Sequence, residues 1–351
     1  MSAWLAAPAG DPGRIHSEGL AARVAVEQAR EHVASLFGAR SREVVFASGA
    51  TEAIAAATWG AAERGGHLVV PAVEHSAVRE ASERAGEVTL VGVDRQGRVD
   101  PDDVARAIRP DTALVHLQWG NHEVGTIQPV AEVAALCRDR GVLLHVDVAQ
   151  ANGHVGIDFR AVGCDLLSVS AHKFGGPPGI GALLVRRGLR LRSLLVGGDQ
   201  ERARRAGYEN VPAIVGFGAA ARSLADGRLE GEADRQRALT DRALAGALDL
   251  DGVTAYGALD QRLPHLVCFG IEGIEPQAVL LGLDQAGVAA HSGSACSSES
   301  LEPSPVLEAM GVDAHRSLRI SVGWSTVDED VDALLDALPD VLARLRALRA
   351  G

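Results

Sequence analysis

The segment at 168–181, SVSAHKFGGPPGIG, carries a lysine in a chain whose basic residues are overwhelmingly Arg. Lys173 lies just past the C-terminal end of an apolar, strand-like run, with His172 before it and a Gly/Pro loop after it. Ligands of open α/β sheets bind outside the carboxyl ends of the strands. An amine placed there and partly desolvated has a lowered pKa and forms Schiff bases; a surface lysine snorkelling from a strand end is the plain alternative. Asp147 shifts that balance. It ends the earlier run VLLHVD, and the interval to Lys173 holds one helix and one strand, so both side chains can share one sheet edge. A carboxylate near a reactive lysine suits pyridoxal phosphate, because the acid keeps the pyridine nitrogen protonated and the ring an electron sink. Gln150, one turn on, can hydrogen-bond the cofactor's phenolic oxygen. Taken alone, Asp147 reads equally as a helix N-cap.

A phosphate needs a cradle, and Ser48-Gly49-Ala50-Thr51-Glu52 offers one between the strand-like VVF and an Ala-rich helix. Small residues admit the anion to the N–H groups at a helix N-terminus, and Thr51 adds a hydroxyl; a simple capping turn has the same pattern. His75, in PAVEHSAV beyond another strand, can stack on a flat cofactor and move protons near neutral pH, although a lone histidine is more often structural. Arg319, inside the apolar SLRISV, suits a bidentate clamp on a substrate carboxylate, with an interdomain ion pair as the alternative. Cys296 stands in SGSACSSESLEPS among small polar residues that offer no apolar burial, which hints at chemistry. Cys137, Cys164 and Cys268 have apolar or helical surroundings and read as core. GFGAAA at 216–221 imitates a dinucleotide fingerprint without its βαβ context and reads as helix packing.

Positioning these groups falls to alternating strands and helices. Runs at 44–46, 67–70, 88–93, 113–117, 142–148 and 165–170 predict strands, many apolar throughout, as in a parallel sheet covered on both faces. The spacing of Leu20, Val24, Val33 and Phe37 predicts a helix closed by Gly38. After about 225 a charged, helix-prone stretch leads to strand-like 266–271, a helix around 276–286, the Gly/Ser loop, strand-like 317–322 and a terminal helix from about Val327. The pattern predicts a large α/β domain over 1–230 and a smaller α+β domain over 231–351 that carries the Cys296 loop. The 351 residues and 47% apolar content suffice for a sizeable core, and the net charge of −12 with no basic block argues against a nucleic-acid surface. The cysteines form no C-x-x-C pair, which argues against structural zinc or a disulfide framework. With no apolar run of membrane-spanning length and no basic n-region at the start, the expectation is a soluble, cytoplasmic protein.

Taken in order, SGAT (48–51), EHSAV (74–78), HVDVAQ (145–150), SAHKFGGPPGIGAL (170–183), the Cys296 loop and RISVG (319–323) resemble the pyridoxal-phosphate-dependent cysteine desulfurases, NifS/IscS-type members of the class V aminotransferase superfamily. The resemblance spans nearly the whole chain from about Gly10. It implies a homodimer of aspartate-aminotransferase-like fold (PLP fold type I). Lys173 would bond pyridoxal 5'-phosphate, Asp147 would pair its ring nitrogen and Gln150 its phenolic oxygen. Ala50, Thr51, Ser170 and His172 would hold the phosphate, and His75 would stack on the ring. Arg319, with Asn121, would bind L-cysteine, and Cys296 would accept the sulfur as a persulfide for an acceptor such as an iron–sulfur cluster scaffold or a thiolation enzyme. No metal is implied. A selenocysteine lyase, a related aminotransferase and a non-catalytic scaffold of the same fold are the alternatives; Cys296 argues against the first two, and Lys173, Asp147 and Cys296 together against the last. Three departures stand out. The family's opening strand and turn have at best a remnant in AWLAAPAG, His122 replaces the second of two asparagines that faces the cofactor, and Tyr208 stands where a threonine reaches the partner's phosphate.

Overall fold

Strands that are apolar at every position need cover on both faces, and that demand sets the layers. The computed structural model describes residues 1–6, 10–292 and 303–350. Seven strands form one sheet: β1 (Val44–Ala47), β2 (His67–Pro71), β3 (Glu87–Val91), β4 (Thr112–Gln118), β5 (Leu143–Asp147), β6 (Leu166–Ser170) and β7 (Gly181–Val185). Their order is β1-β7-β6-β5-β4-β2-β3. All but the edge strand β3 are buried along their whole length. Neighbours pair in parallel except around β7, which runs antiparallel to both β1 and β6. β7, which the apolar runs did not predict as a strand, is the one that breaks the parallel pattern. The link from Ser170 to Gly181 is too short for the crossover that a parallel neighbour requires, so the chain can only turn back.

Helices cover both faces. The helix Ser17–Leu36 buries Ala22, Val26, Ala29 and Val33, and Phe37 at its end, whereas Leu20 and Val24, expected on the inner face, are exposed. Small residues win the inner face because the helix Val211–Ser223 lies so close. A Cβ on Gly218 would stand 2.5 Å from the Cα of Ala29. GFGAAA is thus part of a tight helix–helix contact.

Three further strands, β8 (Val253–Tyr256), β9 (Leu266–Ile271) and β10 (Ser317–Ser321), make an antiparallel sheet in the order β10-β9-β8. Helices Arg228–Leu248, Pro276–Gln285 and Asp328–Ala350 accompany it. Their apolar faces meet in a separate core that includes Ala243, Phe269, Leu318 and Leu338. Among the described residues, no helix is long and apolar enough to cross a membrane.

One strained segment braces the site. Glu201, Arg202 and Ala203 take left-handed backbone angles (φ 50°, 60° and 59°), a conformation costing about 1–2 kcal/mol per non-glycine residue. The buried Glu201 carboxylate holds it by accepting two bonds from Arg30 (2.6 and 2.8 Å) and one from the Phe46 amide (2.9 Å). Arg205, just beyond, bonds Glu52 at 2.9 Å and so ties this segment to the helix that follows β1.

Candidate active site

A cavity of about 670 Å³ opens at the carboxyl edge of the large sheet. β4 ends at Gln118, β5 at Asp147 and β6 at Ser170, and the register pairs Gln118 with Asp147 and Asp147 with Ser168. Parallel strands therefore deliver their last side chains to one place. Asp147 is held there by the Ser168 hydroxyl (2.7 Å) and the Ala149 amide (3.0 Å), both donating to its Oδ1. Lys173 follows β6 in a single 3-10 turn, closed by Gly175 at φ 86°, and lines the same cavity. It is the only lysine in the chain. Ser170 is fixed by its amide donating to Asn152 (3.0 Å), whose own amide nitrogen donates to the Ala149 carbonyl (2.9 Å). Asn152, fully buried, thus locks the ends of β5 and β6 together, a role its place in the sequence did not signal. The Ser170 hydroxyl lies 2.9 Å from His172 Nδ1. Burial, and then the Lys173 charge, lower the His172 pKa, so the neutral imidazole is favoured.

Across the cavity, β1 runs into Ser48-Gly49 and the helix Ala50–Ala61. A Cβ on Gly49 would meet nothing within 4 Å, so the turn keeps open space at the helix N-terminus. A Cβ on Gly181 would come within 2.8 Å of Gly49 Cα, and only glycine there lets the turn lie against β7. Glu52 closes the turn by accepting from the Ser48 amide (2.9 Å). Against the opposing cost of burial, its bonds from Arg205 and Ser48 hold its pKa below the usual value.

Ala50, Thr51, His75, His122, Asp147, Gln150, Ser170, His172, Lys173 and Arg319 all line this cavity. His75 also caps the helix Ser76–Ala85, its Nδ1 accepting from the Ala77 amide (3.1 Å), which leaves the ring proton to Nε2. His122 meets His75 edge to face with ring centroids 5.2 Å apart. Arg319 reaches across from β10 and donates to the His122 carbonyl (2.9 Å), so the small sheet helps hold that loop. Asn121 is placed differently from the expectation. It is fully buried, does not line the cavity, and spends its amide on the Val73 carbonyl (3.2 Å) and the Glu123 and Val124 amides (2.8 Å each). It shapes the turn that presents His122. Tyr208 stands outside the cavity and is 59% exposed; it lines a neighbouring hollow of about 160 Å³ that shares Ser48 and Gly179 with the main one. Cys296 lies outside the described residues. Among the described residues, no three His, Cys, Asp or Glu side chains gather to hold a metal.

Glu74, which feels the Asp147 charge, is a buried carboxyl the sequence did not advertise. Its carboxyl is 1% exposed and accepts the Gln118 amide (2.6 Å) at one oxygen, while the other has no partner. Burial, reinforced by the Asp147 charge, raises its pKa well above the ordinary value. Folding therefore takes up a proton at Glu74 at any pH between the unfolded and folded pKa values. Stability falls as pH rises through that window, starting near about pH 4.5. Glu74→Gln keeps the acceptor and deletes the titration. Its melting temperature should exceed that of the unsubstituted protein at about pH 8, with the gap closing at about pH 4. A gap independent of pH in thermal melts would refute a buried neutral acid.

Comparison with known proteins agrees with this geometry. The aminotransferase class-V profile matches residues 4–334. A cysteine desulfurase IscS of Dictyoglomus turgidum is 40% identical over 99% of this chain and 91% of its own length. A cysteine desulfurase of Gluconacetobacter diazotrophicus is 43% identical over 97% of this chain and 88% of its own. The solved structure of a NifS-like protein superposes with a TM-score of 0.89 at 32% identity, covering 96% of this chain and 92% of that one. With the sheet order, the cavity and these likenesses together, the chain belongs to the class-V aminotransferase family and, within it, to the cysteine desulfurases.

Proposed function

We propose that the cavity binds pyridoxal 5'-phosphate through Lys173 and uses it to take the sulfur from L-cysteine, releasing L-alanine and leaving a persulfide on Cys296. One observation carries the reading: the chain's only lysine shares the strand-end cavity with a carboxylate oriented from the adjacent strand and with an open helix N-terminus. That donor set fits the cofactor. The amides at Ala50 and Thr51, the Thr51 and Ser170 hydroxyls and His172 suit the phosphate, and Asp147 suits the ring nitrogen. His75 suits a ring face and Gln150 the phenolic oxygen, with His122 beside them; Tyr208 is assigned to the phosphate of a partner protomer. When bound, the cofactor supplies an electron sink for bonds at the substrate Cα.

The chain's own groups do the rest. Arg319 binds the substrate carboxylate, and Lys173 Nζ takes the Cα proton. Asp147 holds the proton on the ring nitrogen. The Cys296 thiolate attacks the substrate sulfur: an S–S bond forms, the C–S bond breaks, and its electron pair stays on carbon, which a proton then completes as the alanine methyl group. We further propose a two-domain division at 230/231, a homodimer and a separate sulfur acceptor. Incubation with L-cysteine, pyridoxal phosphate and a thiol reductant should release sulfide and alanine in equal amounts. A chain that binds the cofactor yet forms neither product would overturn the reading.

A further inference from the structure

Gln150 leaves the turn after β5 and lines the cavity, and its amide nitrogen lies 2.9 Å from Nε2 of His265. His265 immediately precedes β9, so this contact joins the small sheet to the floor of the site. The ring is 4% exposed and lies flat on His154, with centroids 3.6 Å apart and planes 16° from parallel. His154 lies between the Gln236 side-chain oxygen (2.8 Å) and the Lys173 carbonyl (3.1 Å), and the single N–H of its neutral ring donates to one of these two acceptors. The Gln236 amide nitrogen donates to Glu232 (2.7 Å), which fixes its oxygen toward His154. The column therefore runs from the helix Arg228–Leu248 to the backbone of Lys173. His265 Nδ1 is buried without a partner.

An amide and an imidazole nitrogen at this distance share one proton, and two arrangements supply it. In one, the Gln150 N–H donates to Nε2; His265 then carries its proton on Nδ1 as a buried orphan donor, and the amide oxygen faces the cavity. In the other the amide is turned end for end, a change almost without steric consequence. His265 Nε2–H then donates to the amide oxygen, Nδ1 keeps only an unused lone pair, and the Gln150 NH₂ faces the cavity. Buried orphan N–H groups are rarer than under-used acceptors, and the second arrangement avoids one. It also presents a donor to the cofactor's phenolic oxygen, an acceptor.

We propose that His265 is a positioning residue, which through Nε2–H sets the end of Gln150 that meets the phenolic oxygen, its ring held in plane by His154. The inference rests on the cofactor reading above. The groups that face the column are Lys173, His172, Arg319 and Arg262 on the basic side and Glu232 on the acidic side. Burial, and then the His154, Lys173, Arg319 and Arg262 charges, hold the His265 pKa well below its ordinary value, so its ring stays neutral at working pH.

The test is a pH titration of the visible absorption of the lysine-bound cofactor, with cofactor retention measured alongside. A donor to the phenolic oxygen stabilises the form left when the lysine–cofactor linkage loses its proton, so losing the donor moves the midpoint up. His265→Phe keeps a flat ring on His154 and deletes the hydrogen bond; its midpoint should rise by about one pH unit and its retention weaken about tenfold. His265→Gln, which returns a polar group near the Nε2 position, should recover most of both. Gln150→Leu should shift the midpoint as His265→Phe does, and the double variant no further, since the two act through one bond. A His265→Phe midpoint and retention equal to the unsubstituted protein's, or fully additive shifts, overturns this inference alone. An unsubstituted protein with no lysine-bound absorption overturns the cofactor reading and this inference with it.

Discussion

Lys173→Ala should reduce sulfide release from L-cysteine to background, a loss of at least about 10⁴-fold, because in the proposed function one side chain both bonds the cofactor and moves the Cα proton. The single-lysine composition makes this test unusually clean. In most chains a borohydride-reducible adduct can migrate to a neighbouring lysine; here no other lysine exists to receive it. Peptide mass mapping after reduction should find the adduct on the segment holding Lys173 and nowhere in the variant. The fold should tolerate the change, since the turn is set by backbone bonds from Ala171 to Ile180 (3.2 Å) and from Gly176 to Ala171 (3.0 Å), not by the lysine head group. Variant turnover above about one per cent of the original would overturn the assignment of Lys173 as the proton carrier.

Cys296→Ser should leave cofactor binding intact and remove the persulfide. Cys137, Cys164 and Cys268 are all buried. Burial, with the Asp165 charge adding to it, pushes the Cys137 thiol up to about 12. Burial likewise pushes Cys164 and Cys268 up. At about pH 8, a thiol of pKa 12 is thiolate about one part in 10⁴, and only the thiolate attacks sulfur. None of the three can stand in for a cysteine set among Gly, Ser and Ala. Intact-mass measurement after incubation with L-cysteine should show one added sulfur on the unsubstituted protein and none on the variant. A persulfide found on Cys137, Cys164 or Cys268 in the variant would sink the assignment.

Much of this was legible in the sequence because strand-end chemistry leaves local marks. An apolar run ending in Asp147, another ending before His172-Lys173, and small residues opening a helix at Ser48-Gly49 each declare position and chemistry within a few residues. Periodicity likewise placed β9 at 266–271 and the helices that flank it. Where reading failed, the deciding contact was one that residue types and periodicity do not display. β7 itself went unread because it follows a short Gly/Pro link, and that link is what reverses it. The exposed Leu20 and Val24 follow from a partner helix whose Gly218 admits only small side chains at the contact. Asn121 reads as a site residue beside His122, yet its side-chain oxygen is taken by its own turn and its amide nitrogen by the distant Val73 carbonyl. The types and order of the candidate site residues belong to the sequence by itself. Their environment was decided by tertiary packing: burial by residues far along the chain raises the Glu74 pKa well above its ordinary value, and the Gln150 amide meets His265 at the start of a strand in the other sheet, since desolvation and long-range hydrogen bonds exist only once the chain has folded.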